Sequence, residues 1–213
     1  MNKPLCINNI EQKFRNNRFL IFLDLISVVP RPIHILDLGG TLSFWQSNDY
    51  NFLGEFNITM LNIFQQYNLP SGFTSIVGDA RYLINYEDKE FDLVFSNSTL
   101  NFVGSYEDQL KMASEIRRVG RGYFIQIPNR HFPLDWRTLV PFFHFMPSKF
   151  QAFCFQHFKV GTYPQVKDSS KAIELATRVR DVTRREIVFL FPEARIIQEH
   201  VLGFTKSFMA YYI

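Results

Sequence analysis

Apolar positions along this chain fall into runs of two kinds, and each kind predicts a different element. Between residues 8 and 28, Ile10, Phe14, Leu20, Phe22, Leu23 and Ile26 return at roughly helical spacing, which predicts a helix closed by Pro30 and Pro32. Five compact apolar runs follow: Ile33 to Leu38, Asn57 to Ile63, Phe73 to Val77, Phe91 to Ser96 and Gly122 to Ile127. Each has the length of a buried strand, and spacers of about 15 to 30 residues separate them, as in βα units around a parallel sheet.

The clearest helix runs from Ser105 to Val119. Ser105 and Asp108 have capping-box spacing, Leu110, Ala113, Ile116 and Val119 recur at i+3, and Gly120 stops the run. Thr183 and Glu186 repeat the capping pattern and predict a last helix, Thr183 to Phe191, ended by Pro192. Two strand-like runs close the chain, Ala194 to Val201 and Phe204 to Tyr212, with only Leu202-Gly203 between them. So short a link makes them antiparallel neighbours. The expected architecture is one domain over residues 1–213, a mostly parallel sheet finished by an antiparallel hairpin. Residues 128–182 form an insertion between the fifth strand and the last helix.

Composition narrows the chemistry by exclusion. Hydrophobic residues at 46% and charged residues at 20% describe a chain that can bury a core. Phe is the exception: 24 residues, against 9 Tyr and 2 Trp, supply more aromatic surface than an ordinary core takes up. A net charge of +3 without a Lys/Arg tract argues against nucleic acid as a partner. Cys6 and Cys154 lie far apart with no CxxC or His-rich companion, so neither a disulfide nor a metal site is expected. Arg15, Arg18 and Asp24 interrupt the first apolar segment, and no run approaches the roughly 18 apolar residues of a spanning helix. The expected location is the cytoplasm.

The stretch 33-IHILDLGGTLSFW-45 carries the first chemical signal. A buried strand ends in Asp37, and Gly39 and Gly40 permit positive φ and close backbone approach. Ligands of open parallel sheets sit beyond the carboxyl ends of the strands, where strand order reverses. Taken alone, the turn is equally a tight connection. Two later strand ends add to it: Gly78-Asp79-Ala80 after the third strand and Ser96-Asn97-Ser98 after the fourth.

With these segments in order, the chain resembles the class I S-adenosylmethionine-dependent methyltransferases, in particular the methyltransferase type 11 group. The resemblance is carried by 35-ILDLGG-40, 78-GDA-80, 91-FDLVFSNSTLNFVG-104, 115-EIRRVGRGYFIQIPN-129 and 203-GFTKSFMAY-211. It implies an α/β, three-layer αβα Rossmann-like methyltransferase fold with a seven-stranded, mostly parallel sheet and an antiparallel C-terminal strand. It further implies S-adenosylmethionine as cofactor, with S-adenosylhomocysteine as product. The methionine end would lie over Gly39, Gly40 and Thr41, with Asp37 placing its amino group. Asn62 stands where the family usually holds the ribose with a carboxylate. Asp79 would accept from the adenine amino group, the Ala80 N–H would donate to the ring, and Ser96 and Asn97 would line the floor near the sulfonium.

This sequence departs from the family at two places. The usual D-x-G-x-G-x-G turn has Thr41 and Ser43 in place of glycines, and Phe44 and Trp45, read as packing residues, follow directly. An acidic–histidine pair common after the fourth strand is replaced by Asn101-Phe102. The resemblance thus implies a methyltransferase acting on a small, partly apolar acceptor. Its alternative is a catalytically weak or inactive protein of the same fold that serves as a binding or interaction subunit.

The insertion is where such enzymes build acceptor pockets. His131 and Asp135, at i and i+4, form an acid–base pair if their segment is helical; otherwise Asp135 and Arg137, flanking Trp136, simply start a helix. The aromatic runs 141-PFFHFMP-147 and 150-FQAFCFQHF-158 have three readings. They wall an apolar acceptor pocket, they form a peripheral membrane or protein contact through residues 141–158 flanked by Lys149, Lys159 and Lys167, or they build a small second core. His144 and His157 read as core or rim residues among these aromatics. A helix over Lys171 to Arg185 would carry Arg178, Arg180, Arg184 and Arg185 as a solvated face or, alternatively, as a seat for an anionic group. The residues specify neither the acceptor atom nor an oligomeric state.

Overall fold

In the computed structural model, which describes residues 5–135 and 137–213, seven strands form one sheet. In chain order they are β1 (Ile33–Leu38), β2 (Phe56–Asn62), β3 (Phe73–Val77), β4 (Phe91–Asn97), β5 (Gly120–Pro128), β6 (Arg195–Val201) and β7 (Phe204–Tyr212). Across the sheet the order is β3-β2-β1-β4-β5-β7-β6. The first five strands are mutually parallel, and β7 runs antiparallel to both of its neighbours. Strand order therefore reverses between β1 and β4, which opens a crevice at their carboxyl ends. The seven-stranded, mostly parallel sheet read from the sequence is the one observed, within a residue or two at each strand end.

Helices cover both faces. On one side lie α1 (Leu5–Leu25), its 3-10 extension Ile26–Val28, and the short α2 (Leu42–Ser47). Phe19, Phe22, Ile26 and Trp45 pack there against Ile33, Ile35, Ile58, Met60, Leu93 and Phe95. The opposite side is covered by α3 (Tyr106–Val119) and α6 (Arg184–Leu190), whose Met112, Ala113, Ile116, Ile187 and Leu190 meet Leu36, Leu38, Val94, Ile125 and Ile127. Strand side chains alternate between faces, so Asp37 shares the face of Ile33 and Ile35 and points toward α1 and Trp45. Both capping boxes form: Ser105 with Asp108 opens α3, and Thr183 with Glu186 opens α6.

The crossovers from β2 to β3 and from β3 to β4 contain no helix among the described residues. Pro70 and Gly72 break the first link. The second is gripped from α3: the Arg118 guanidinium donates to the carbonyls of Leu83 and Tyr86 at 2.8 Å each, and Glu115 accepts from the Leu83 N–H at 2.7 Å.

The insertion folds around α4 (Ser148–His157) and α5 (Ser169–Thr177), which enclose a third small core of Phe143, Ala152, Phe155, Val160 and Ala172. Two expectations are corrected here. The helix expected over Lys171–Arg185 is divided: α5 ends at Thr177 and α6 begins only at Arg184. Arg180, between them, is no solvated face, because it pairs with Glu186 and donates to Gln109 Oε1 at 2.6 Å. The segment around His131 and Asp135 is irregular rather than helical, with a single bridge between Leu134 and Pro141. Trp136 lies outside the described residues. No described helix is long and apolar enough to cross a membrane.

Candidate functional site

Two adjoining cavities open at the carboxyl ends of β1, β4 and β5. The first, about 160 Å³, is lined by Asp37, Leu38, Gly39, Gly40, Thr41, Phe44, Phe95, Asn97, Thr99 and, from α1, Arg15. The second, about 280 Å³, begins at the same Arg15 and Asn97 and extends under the insertion. Sequence reasoning missed Arg15, whose helical spacing gave no hint that it reaches across to the strand ends.

Asp37 dominates the first cavity. It is 1% exposed, and its Oδ2 accepts a hydrogen bond from Trp45 Nε1 at 2.8 Å. Burial pushes its pKa up to about 7, while the Trp45 hydrogen bond pulls the other way. Trp45 packs, as expected, with its ring 5.2 Å from that of Phe95, but its N–H also fixes the carboxylate. Gly39 takes φ +76°, and a Cβ there would lie 2.2 Å from Thr99 Oγ1; a Cβ on Gly40 would lie 1.9 Å from Asp37 Oδ2. The close approach these glycines permit is thus first an approach of the chain to itself. The Gly40 carbonyl accepts from Asn62 Nδ2 at 2.9 Å and from Gln66 Nε2 at 3.0 Å, while Gln66 Oε1 accepts from the Leu42 N–H at 2.9 Å. Thr41, the residue before α2, lines the cavity with its hydroxyl 3.1 Å from that of Ser43.

The expected adenosine contacts are arranged differently. Asn62 ends β2 as anticipated, yet its amide N–H holds the glycine turn and its Oδ1 accepts from Ile63 N at 2.8 Å. Asp79 is clamped by Arg81, which donates from Nε to both carboxylate oxygens at 3.0 Å and reaches Asp108 Oδ1 at 3.0 Å. The guanidinium hydrogen bonds hold the Asp79 pKa below the usual carboxylate range. Asn62, Asp79 and the buried Ala80 line neither cavity. Ser96 is fully buried, with no hydrogen-bond partner for its Oγ among the described residues, whereas Asn97 lines both cavities.

The second cavity has an apolar side of Phe102, Pro128, Phe132 and Leu134 and a polar side of Ser98, Asn101, Gln126 and Asn129. At its inner end Arg137 joins two carboxylates, with Nε 2.7 Å from Asp135 Oδ1 and an Nη 3.2 Å from Asp181 Oδ2. Burial raises the Asp181 pKa against the attraction of Arg137. The expected His131–Asp135 pair does not form: His131 is exposed and lines no part of the cavity, and Asp135 is turned to Arg137. His144 lines the cavity instead, at hydrogen-bond distance from the Arg130 carbonyl. Of the two aromatic runs, His144 alone lines this cavity, while Phe143 and Phe155 line a neighbouring one that shares Asp135, Arg137 and Asp181 with it.

The fold is the Rossmann-like one of the class I methyltransferases. The match to the family described as "Methyltransferase domain" covers residues 52–125, less than half of the chain, and begins after the glycine turn. Among solved structures, an S-adenosylmethionine-dependent methyltransferase from Archaeoglobus fulgidus superposes with a TM-score of 0.57 at 11% identity, covering 94% of this chain and 93% of that one. One from Methanosarcina mazei gives 0.54 at 14% identity, with 88% and 95% coverage. Magnesium protoporphyrin IX methyltransferase from Synechocystis PCC 6803, crystallised with S-adenosylhomocysteine, gives 0.54 at 12% identity, with 94% and 82% coverage. At these identities the likeness is one of fold. Among curated proteins none matches the chain in sequence.

The residues present fit the amino-acid end of S-adenosylmethionine. A buried carboxylate and an exposed guanidinium, Asp37 and Arg15, line one cavity and complement an ammonium and a carboxylate. They do not, as arranged, offer the adenosine end its customary partners, because Asp79 is occupied and no carboxylate ends β2.

Proposed function

We propose that this chain is an S-adenosylmethionine-dependent methyltransferase acting on a small acceptor with an apolar portion. The observation that carries the reading is the pair of adjoining cavities at the strand-order reversal, joined at Arg15 and Asn97. Bound there, the cofactor supplies a methyl group already activated on a sulfonium. The chain's own part is then mainly positioning and exclusion of water. Asp37 holds an ammonium, Arg15 a carboxylate, and the Gly39–Gly40 backbone keeps the wall thin. Asn97 stands at the junction, where it can orient an acceptor heteroatom. Phe102, Phe132 and Leu134 receive the acceptor's apolar part. Asp135 and Asp181, both held by Arg137, are the carboxylates available to accept a proton if the acceptor must lose one.

Two observations favour a second reading, a protein of this fold with weak or lapsed activity. Asp37 is satisfied by Trp45, and Asp79 is satisfied by Arg81. Calorimetric titration of the folded protein with S-adenosylmethionine and S-adenosylhomocysteine separates the two. The enzyme reading expects saturable binding of both. No binding of either would overturn it and leave the second.

A further inference from the structure

The outer side of the insertion presents an aromatic surface that methyl transfer does not use. Phe142, Phe145, Phe150, Phe153 and Phe158 are each 49–59% exposed. On α4 the apolar side chains point both ways: Ala152 and Phe155 go into the small core, and Phe150 and Phe153 point outward. A surface helix with apolar groups on both sides has one side left to cover. The outward rings touch one another. Phe153 stacks on His157 with centroids 4.2 Å apart and lies 6.5 Å from Phe150, and Phe142 lies 6.3 Å from Phe145. Gln151 Nε2, donating to the Met146 carbonyl at 2.7 Å, ties the two groups together.

Charge indicates what covers this face. Residues 136–167 contain no Asp or Glu and carry Arg137, Lys149, Lys159 and Lys167. Lys149 and Lys159 are exposed and adjoin Phe150 and Phe158 in the chain. A second copy would bring lysines against lysines with no acidic partner. Protein interfaces, moreover, take up Phe readily but are depleted in Lys, so the lysines rather than the rings set this face apart. Exposed Phe beside Lys suits an anionic bilayer, where rings enter the acyl boundary and ammonium groups stay at the headgroups.

We propose that this face docks the protein on an anionic membrane surface, through Phe142, Phe145, Phe150, Phe153 and Phe158 with Lys149 and Lys159. The proposal does not depend on methyl transfer. The test is sedimentation of the full chain with vesicles of phosphatidylcholine alone and of phosphatidylcholine with phosphatidylglycerol. Binding is expected to the anionic vesicles and to weaken with salt. The double substitution Phe150→Ser, Phe153→Ser should reduce it by about tenfold or more. Lys149→Gln with Lys159→Gln should reduce it by about tenfold on anionic vesicles. Both variants should keep the parent's melting temperature, since these side chains lie outside the small core. Absence of binding, equal binding to both vesicle types, or binding indifferent to the Phe substitutions would each overturn the proposal. A dimer that depends on these rings, with no vesicle binding, would assign the face to a second copy.

Discussion

Replacing Asp37 with asparagine should flatten the dependence of stability on pH. Burial raises the pKa of this carboxyl to about 7, against an ordinary value of 3.8. Between those two values the folded chain keeps a proton that the unfolded chain has released. Stability contributed by this group is therefore present on the acid side and lost as pH rises through the folded pKa. From about pH 5 to about pH 8 the loss amounts to roughly 2.5 kcal/mol. The amide keeps an acceptor for Trp45 Nε1 but cannot ionise. Denaturant unfolding of parent and variant at the two pH values gives a difference of differences. In it Asp181, also raised by burial, cancels because both proteins carry it. The parent should lose roughly 2.5 kcal/mol more than Asp37→Asn across this interval. Parallel losses in the two proteins would refute the claim that Asp37 is the buried, proton-holding group. The same carboxyl ties stability to the proposed donor site. An ammonium placed beside Asp37 would restore its charge, so donor binding near neutral pH should release a proton, visible as a dependence of the binding heat on buffer ionisation enthalpy. Binding with no such dependence would mean the ammonium lies elsewhere.

Three further outcomes follow from particular contacts. Arg81→Ala frees Asp79, and because the paired side chains are 32% and 41% exposed, the stability change should stay within about 1 kcal/mol. The pair's contribution is present above the ordinary carboxylate pKa and lost as pH falls, so the variant should lack that acid-side decline. Donor affinity should rise by about 1–3 kcal/mol in Arg81→Ala, which frees the carboxylate, and stay at the parent's value in Asp79→Ala; equal losses in both would show that the clamped pair is itself a binding element. Gly40→Ala puts a Cβ 1.9 Å from Asp37 Oδ2 and must displace a buried carboxyl that Trp45 Nε1 holds. Thermal melting should show a cost of roughly 2–4 kcal/mol, and a variant as stable as the parent would contradict the packing. Arg137→Ala leaves Asp135 and Asp181 without their shared cation, a loss of roughly 3–5 kcal/mol that acid should partly restore as Asp181, already raised by burial, takes up a proton. A deficit unchanged between neutral and acid pH would rule out that cause.

What could be read from the sequence followed the range of the interaction. The helices α3 and α6 were readable because their caps are local, each made within four residues by Ser105 with Asp108 and Thr183 with Glu186. The strands were readable because burial on both faces leaves continuous apolar runs. His131 and Asp135 misled because an i, i+4 pair presupposes a helix, and Pro133 stands between them; the Asn129 side chain instead accepts from the His131 N–H in a turn. At the glycine turn the residues were right and their partners were not readable. That Asp37 meets Trp45 depends on which face of β1 receives α2, and that Gly40 is tied by Asn62 and Gln66 depends on the path of the chain after β2. The glycines also prove a weaker sign of a ligand than they looked. The side chain of Thr99 fills the space at Gly39, and that of Asp37 fills the space at Gly40. Internal packing thus accounts for both missing Cβ atoms without any bound molecule. It does not account for the cavity beside them, or for its continuation past Arg15 and Asn97 into a second one under the insertion. The case for methyl transfer therefore rests on that joined space, which no motif in the sequence announces, more than on the turn that first suggested it.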